Sequence, residues 1–275
     1  MKKAFFLFII AFFVRTKINA QWQTLFNTKN LKGWDTYLGP QFPTDGVDRT
    51  GVLPIGLNID PKKVFTVVEL DGEKVMKISG ENFGGISTKK EFENYHLTLQ
   101  FKWGKNKFHP KENSKFDSGV LYHANGKHGA DWGFWMQSQE FQLQEGDCGD
   151  YWGCAGAIFD IPAVKEGEKK FRYSKTGEMY TFEDKTSIGR HCIKNSDAEK
   201  PTGEWNTLDL YCFGDTAIHV INGKVNMVLF HSKHKVNGQY EPLTKGKIQL
   251  QSEGAEVYYK NIQIQKIKAL PGNFE

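Results

Sequence analysis

Glu140 and Glu145 fall in one short run, Gln139-Glu140-Phe141-Gln142-Leu143-Gln144-Glu145-Gly146-Asp147, with Gln142 and Gln144 between them. Carboxyls can carry protons to and from a reacting group, and primary amides can hold hydroxyls. Phe141 and Leu143 alternate with Glu140, Gln142 and Gln144. That period of two predicts a strand with an apolar face toward a core and a polar face turned away from it. Trp132, Trp135, Tyr151 and Trp152 crowd both ends of the run. Aromatic rings beside carboxyls and amides suit a carbohydrate, whose ring faces stack on the aromatics while its hydroxyls bond the polar groups.

Other residues extend this candidate site. His123 lies on an expected strand, Gly119 to Ala124, and supplies an imidazole. Lys102 and Gln100 lie on the polar side of Tyr95 to Trp103, where Leu97, Leu99, Phe101 and Trp103 mark the apolar side. Glu145, Asp147 and Asp150 form an oxygen-rich turn of the kind that holds calcium or a similar hard divalent ion, although their spacing follows no standard loop. The spacings of the four cysteines match no zinc pattern.

The elements that position these groups read as strands almost throughout. Val64 to Leu70 and Lys74 to Ser79 flank a turn at Asp71-Gly72-Glu73. Thr216 to Ile221 and Lys224 to Phe230 flank Asn222-Gly223, a strong hairpin signal. Cys154 to Ile161, Trp205 to Phe213, Lys247 to Gln251 and Glu256 to Ile267 complete the set, with Ile248, Leu250, Ile262 and Ile264 as expected core. Gly39 to Pro61, Lys105 to Lys115 and Lys165 to Asp197 read as long loops of the kind that rim a cleft. Without a long amphipathic helix pattern, the expectation is an all-β, two-sheet antiparallel sandwich or jelly roll.

Residues 1–20 read apart from this domain. Lys2 and Lys3 precede an apolar run from Ala4 to Val14 that is too short to span a bilayer and leads to Ile18-Asn19-Ala20. This is the pattern of a secretory signal, implying a periplasmic or secreted protein whose mature chain starts near Gln21 as one domain, 21–275. The chain has 36 basic and 32 acidic residues. Lys2, Lys3, Arg15 and Lys17 account for the excess, so the mature chain is balanced and offers no support for a nucleic-acid or membrane partner. Four cysteines permit three full pairings in an oxidising compartment, with Cys148 to Cys154 the most local.

Several short pieces, in order, carry a resemblance. Leu25-Phe26-Asn27 leads to Leu31-Lys32-Gly33-Trp34, then Ser118-Gly119-Val120-Leu121-Tyr122-His123, the Glu140 to Gln144 strand, Gly203-Glu204-Trp205-Asn206-Thr207 and Asn222-Gly223. Over nearly the whole mature chain this resembles the 3-keto-disaccharide hydrolase domain family. The resemblance implies a concanavalin-like jelly roll that acts on glycosides whose C3 hydroxyl has been oxidised to a ketone. His123 stands where that family often has arginine, and the Lys105 to Phe116 segment is longer than usual for it.

A second likeness is to laminarinase-type glycosidases, which carry Glu-x-Asp-x-x-Glu on one strand. Here the run is Glu140-x-Gln142-x-x-Glu145, and a β-bulge would be needed to bring both glutamates to one face. A retaining displacement needs two carboxyls about 5–5.5 Å apart, and Gln142 cannot supply charge. The 3-keto reading needs one base instead. A C3 ketone acidifies the C2 hydrogen, so Glu140 or Glu145 removes it, Gln142 or His123 holds the enolate, and the C1 substituent leaves. A conventional glycoside hydrolase and a non-catalytic carbohydrate-binding module stand as alternatives.

Overall fold

The computed structural model describes residues 21–272. The expected secretory segment, residues 1–20, lies outside them. Two antiparallel sheets, neither closed, stack face to face, and no α-helix occurs among the described residues. The smaller sheet carries the site. Its order runs from His191–Cys192 through Tyr151–Cys154, Gln137–Gln144, Asp117–Asn125, Lys247–Ser252, Gly84–Thr88 and Trp34–Pro40 to Pro54–Leu57. The larger sheet is built around Tyr95–Lys107, paired with Asn206–Phe213 on one side and Ala255–Lys266 on the other.

Side-chain alternation explains the stacking. Phe141 and Leu143 on the smaller sheet, with Val120, Ile248 and Leu250 from its neighbours, meet Leu97, Leu99, Phe101 and Trp103 from the larger one in a single buried cluster. Full burial of a Phe or Leu contributes about 1.5–3 kcal/mol each. A one-residue slip of Gln137–Gln144 would exchange those side chains for Glu140, Gln142 and Gln144, so the apolar pair fixes the register and hence the direction in which Glu140 points.

The turns follow the expected chemistry. Asn222 (φ 50°) and Gly223 (φ 77°) join Thr216–Ile221 to Lys224–Val236 with both central residues left-handed, as a two-residue hairpin requires. Elsewhere the boundaries differ from expectation. The Cys154 to Ile161 strand is two elements, Tyr151–Cys154 and Ala157–Gly167, which belong to different sheets, and the chain crosses between them at Ala155 and Gly156, both at positive φ. The Gly39 to Pro61 segment holds Pro54–Leu57, paired with Trp34–Pro40. The Lys165 to Asp197 segment holds Lys170–Tyr173, Glu178–Phe182 and His191–Cys192. Glu178–Phe182 is mostly exposed, so backbone pairing to Ala157–Gly167 makes it a strand without an apolar stripe to signal it.

The cysteines are unpaired. Cys148 sits in the core between the sheets, whereas Cys154 packs with Leu121, Phe134 and Trp135 on the opposite side of the smaller sheet. The local bridge considered above therefore does not form, because its two ends face opposite ways.

Candidate active site

A cavity of about 320 Å³ opens on the outer face of the smaller sheet, over Asp117–Asn125 and its two neighbours. Glu140 lies in it and is 5% exposed. Gly119 makes the space for it. A Cβ there would lie 2.5 Å from Glu140 Oε1 and 2.4 Å from Gln251 Oε1, distances that no real side chain tolerates. The strand needs glycine at this point so that the carboxyl of one neighbour and the amide of the other can approach across it.

Asp117, two residues before Gly119 and so on the same face, gathers three side-chain donors. Gln144 Nε2 reaches its Oδ2 at 2.7 Å, Gln142 Nε2 its Oδ1 at 3.2 Å, and Lys111 bonds Oδ2 as well. Lys111 Nζ also reaches Glu253 Oε1 at 2.5 Å. Arg190 forms the opposite wall. Its Nη1 lies 2.9 Å from Asp131 Oδ1, and its guanidinium sits 5.6 Å from the ring centres of both Trp132 and Trp152.

The aromatic rim has local causes. Asp131 and Trp135 pair across a tight turn in which Trp132 (φ 52°) and Gly133 (φ 89°) are left-handed. That turn throws Trp132 outward, 68% exposed at the mouth, and folds Trp135 inward, where its Nε1 donates to the Gly84 carbonyl at 2.8 Å. Trp152 stacks on His191 with ring centres 4.2 Å apart. A second cavity, about 500 Å³, shares Gln144 and Trp152 with the first and adds Gln142, Asp150 and His191.

Burial dominates the electrostatics. It pushes the Glu140 carboxyl up to about 8, with Asp117 and Asp131 adding to the rise while the Cys154 thiol and Arg190 oppose it. Burial also raises Glu253 well above the usual carboxylate range, with Asp117 contributing and Lys111 opposing. Asp117 is raised by burial too, against the pull of Lys111 and Gln144. Glu253 and Asp117, beside an ammonium that stays charged, raise the Lys111 amine against its burial. Three acceptors that are buried among these groups have no hydrogen-bond partner: Gln251 Oε1, Asp131 Oδ2 and Gln142 Oε1.

Of the residues singled out from sequence, Glu140, Gln144, Trp132, Trp135 and Trp152 line the first cavity, and Gln142 lines the second. Three others stand elsewhere. His123 lies in a bulge that shifts the register between Tyr122 and Asn125. Its φ of 51° turns it to the core side, against the rings of Tyr122 and Tyr95. Lys102 belongs to the larger sheet, where Nζ bonds Asp71 at 3.0 Å. Glu145 follows the last strand residue, no bulge brings it back beside Glu140, and its Oε1 takes a hydrogen bond from Thr202 at 2.5 Å.

The acidic turn likewise diverges. Asp147 pairs with Lys115 and Asp150 with His191, so those carboxyls and Glu145 reach different partners. Among the described residues no group of three His, Cys, Asp or Glu side chains is arranged to hold a metal ion.

Sequence reading missed Asp117, Gln251, Lys111, Glu253, Asp131 and Arg190. Two had a signal. Asp117 and Gly119 alternate with Ser118 and Val120, and Gln251 alternates with the core residues Ile248 and Leu250. Lys111, Asp131 and Arg190 come from irregular segments and Glu253 from just beyond a strand end, where no periodicity points to a face.

Comparison with known proteins agrees with this architecture. A family model described as "3-keto-alpha-glucoside-1,2-lyase-like domain" matches residues 21–265. A solved structure from Parabacteroides distasonis, described as a candidate glycosyl hydrolase, is 21% identical, with a TM-score of 0.50 over 90% of this chain and 100% of that one. A second from the same organism, described alike, is 20% identical, with a TM-score of 0.48 over 90% and 94%. A carbohydrate-binding module from Bacillus subtilis is 7% identical, with a TM-score of 0.41 over 73% and 91%. The first of these structures is alike in fold. A search of curated proteins finds no match.

Proposed function

Because the chain belongs to the 3-keto-alpha-glucoside-1,2-lyase-like domain family, we propose that it cleaves 3-keto-glycosides by removing the C2 proton and eliminating the C1 substituent. The observation that carries this reading is Glu140. Its carboxyl sits in a cavity walled by tryptophans, and burial brings it to about 8, the range in which a group can both take and return a proton near neutrality. Glu145, the second carboxyl that a laminarinase-type displacement would use, is engaged by Thr202 instead.

The sugar ring rests against Trp132, Trp135 and Trp152, and its hydroxyls donate to Gln251 Oε1 and Asp131 Oδ2. A ligand rich in hydroxyl donors is what buried acceptors without partners call for. Glu140, ionised, takes the C2 hydrogen as a proton. The C2–H electron pair becomes the C2–C3 double bond of an enolate. When the enolate collapses, the C3 carbonyl re-forms, the C2–C3 π electrons become the second bond of a C1=C2 double bond, and the C1–O bond breaks. The departing oxygen takes a proton from a carboxylic acid of the cluster, a part open to Glu253, which burial favours in its protonated form. Water then adds its oxygen at C1 and gives a proton back to the spent acid, while the proton on Glu140 returns to C2, giving net hydrolysis.

The test is turnover of a chromogenic 3-keto-glucoside beside its unoxidised parent, in deuterated water. Cleavage of the keto compound alone, with deuterium at C2, supports the reading. Cleavage of the parent without exchange identifies a conventional hydrolase. Retention of sugar with neither compound cleaved identifies a binding module.

A further inference from the structure

We propose that Lys111 is a catalytic residue, whose ammonium holds the negative oxygen of the enolate at C3. This rests on the elimination reading and goes beyond it, since that reading leaves the enolate without a partner. His123 is in the core, and the Gln142 and Gln144 amide nitrogens, each with one bond to Asp117, carry no charge to set against that of an enolate.

Lys111 is built into the cavity from a segment with its own anchors. Phe108 N donates to the Gly254 carbonyl at 2.7 Å, Lys111 N to the Phe108 carbonyl at 2.8 Å, and Ser114 N to the Lys111 carbonyl at 3.0 Å. His109 Nε2 lies 2.7 Å from the Gly46 carbonyl. The side chain crosses near the Phe83 ring, which its nitrogen approaches to 5.8 Å, and ends among the carboxyls. The segment delivers to the cavity a positive charge that the strands lining it do not carry.

An ammonium has three N–H donors. Asp117 and Glu253 accept two, which leaves one for a ligand in the cavity that Lys111 lines. Asp117 does not depend on this ammonium alone, because it is also held by two glutamine amides. Arg190, the other cation of the cavity, stands on the opposite wall. Its Nη1 serves both Asp131 and the Gly153 carbonyl, and its guanidinium lies 5.6 Å from the ring centres of Trp132 and Trp152. As the proton passes to Glu140, that carboxyl becomes neutral and the negative charge moves to the C3 oxygen. A fixed cation nearby lowers the energy of that arrangement more than of the starting ketone, which is the condition for catalysis.

The experiment replaces Lys111 by cysteine in the full chain and then restores the ammonium by aminoethylation; the four native cysteines are buried. Lys111→Cys is expected to lower kcat on a 3-keto-glucoside by roughly 100- to 1,000-fold, the scale for losing one oxyanion donor, with KM changed much less. C2 exchange should slow in step. Aminoethylation should restore most of both, and carbamidomethylation with iodoacetamide, which adds no charge, should restore neither. Near-normal kcat in the folded cysteine variant overturns the proposal, as does equal recovery with both reagents. Lys111→Met provides the same kcat and exchange comparison if the cysteine variant does not fold, and failure of both to fold assigns Lys111 a structural role instead. Wild-type protein inert toward the keto substrate retires the elimination reading itself, whereas active wild type with an indifferent Lys111 retires only this step.

Discussion

The thiol of Cys154 donates to Oε2 of Glu140 at 3.1 Å, on the outer face of the smaller sheet. Tyr151–Cys154 and Gln137–Gln144 pair antiparallel with Trp152 opposite Glu140, so Cys154 lies diagonally across from the carboxyl it meets. A thiol is a weak donor, and it offsets only part of what burial does to Glu140. This pairing allows the carboxyl to be adjusted from a neighbouring strand without touching the acid itself.

Replacing Cys154 should therefore move the pH profile. If Glu140 acts ionised, kcat/KM falls about tenfold per pH unit below about 8 and levels above it. Cys154→Ser offers a stronger donor to the ionised form and should shift this limb to lower pH. Cys154→Ala removes the donor and should shift it to higher pH. Profiles of both variants that coincide with the wild-type curve would take Glu140 out of the rate-controlling ionisation.

Glu140→Gln keeps the shape and removes the basicity. Turnover of a 3-keto-glucoside should fall at least ~100-fold. Stability should move the other way with pH. A carboxyl raised in the folded protein contributes stability that is present below its unfolded value near 4.5 and lost as pH rises through about 8. The glutamine variant lacks that loss, so its melting temperature should exceed that of the wild type at pH 9 and approach it at pH 5, as read by thermal scans.

Gly119→Ala places a methyl where Glu140 Oε1 and Gln251 Oε1 converge. Overpacking of this kind costs about 1–3 kcal/mol, and either the carboxyl or the amide must move. Activity should drop sharply while circular dichroism retains the all-β signature. Full activity in the alanine variant would mean that the two groups need not approach so closely.

Glu145→Gln is the contrasting substitution. Its carboxyl is bonded to Thr202 at the end of the strand, so kcat/KM should stay within roughly threefold of wild type, the size of a peripheral effect. A loss comparable to that of Glu140→Gln would transfer the base role to it.

Acid should unfold the protein through its buried imidazoles. Burial lowers His123 to about 4 and His219, stacked on Phe141 and bonded to Tyr122, to about 3, both from an ordinary value of 6.5. A histidine depressed in the folded state contributes stability present above 6.5 and lost as pH falls toward the folded value, by up to about 1.4 kcal/mol per pH unit each. Urea midpoints should decline between pH 6.5 and 4, and His219→Gln should flatten that decline.

The sequence by itself determined the strand that carries Glu140 and the direction in which it faces, because Phe141 and Leu143 must be buried and a strand alternates with period two. It determined the Asn222-Gly223 hairpin for a similarly local reason, the need for two left-handed residues. Tertiary structure decided the rest of the site. Lys111, Asp131 and Arg190 reach the cavity that holds Glu140 from irregular segments whose positions depend on long-range anchors such as Phe108 to Gly254 and Arg190 to Asp131. The bulge at His123 and the end of the strand before Glu145 turned two plausible catalytic residues away, and neither is written in side-chain periodicity. The raised carboxyl of Glu140 belongs to the same class: a residue's own type fixes its ordinary value, but only the assembled walls that exclude water can shift it.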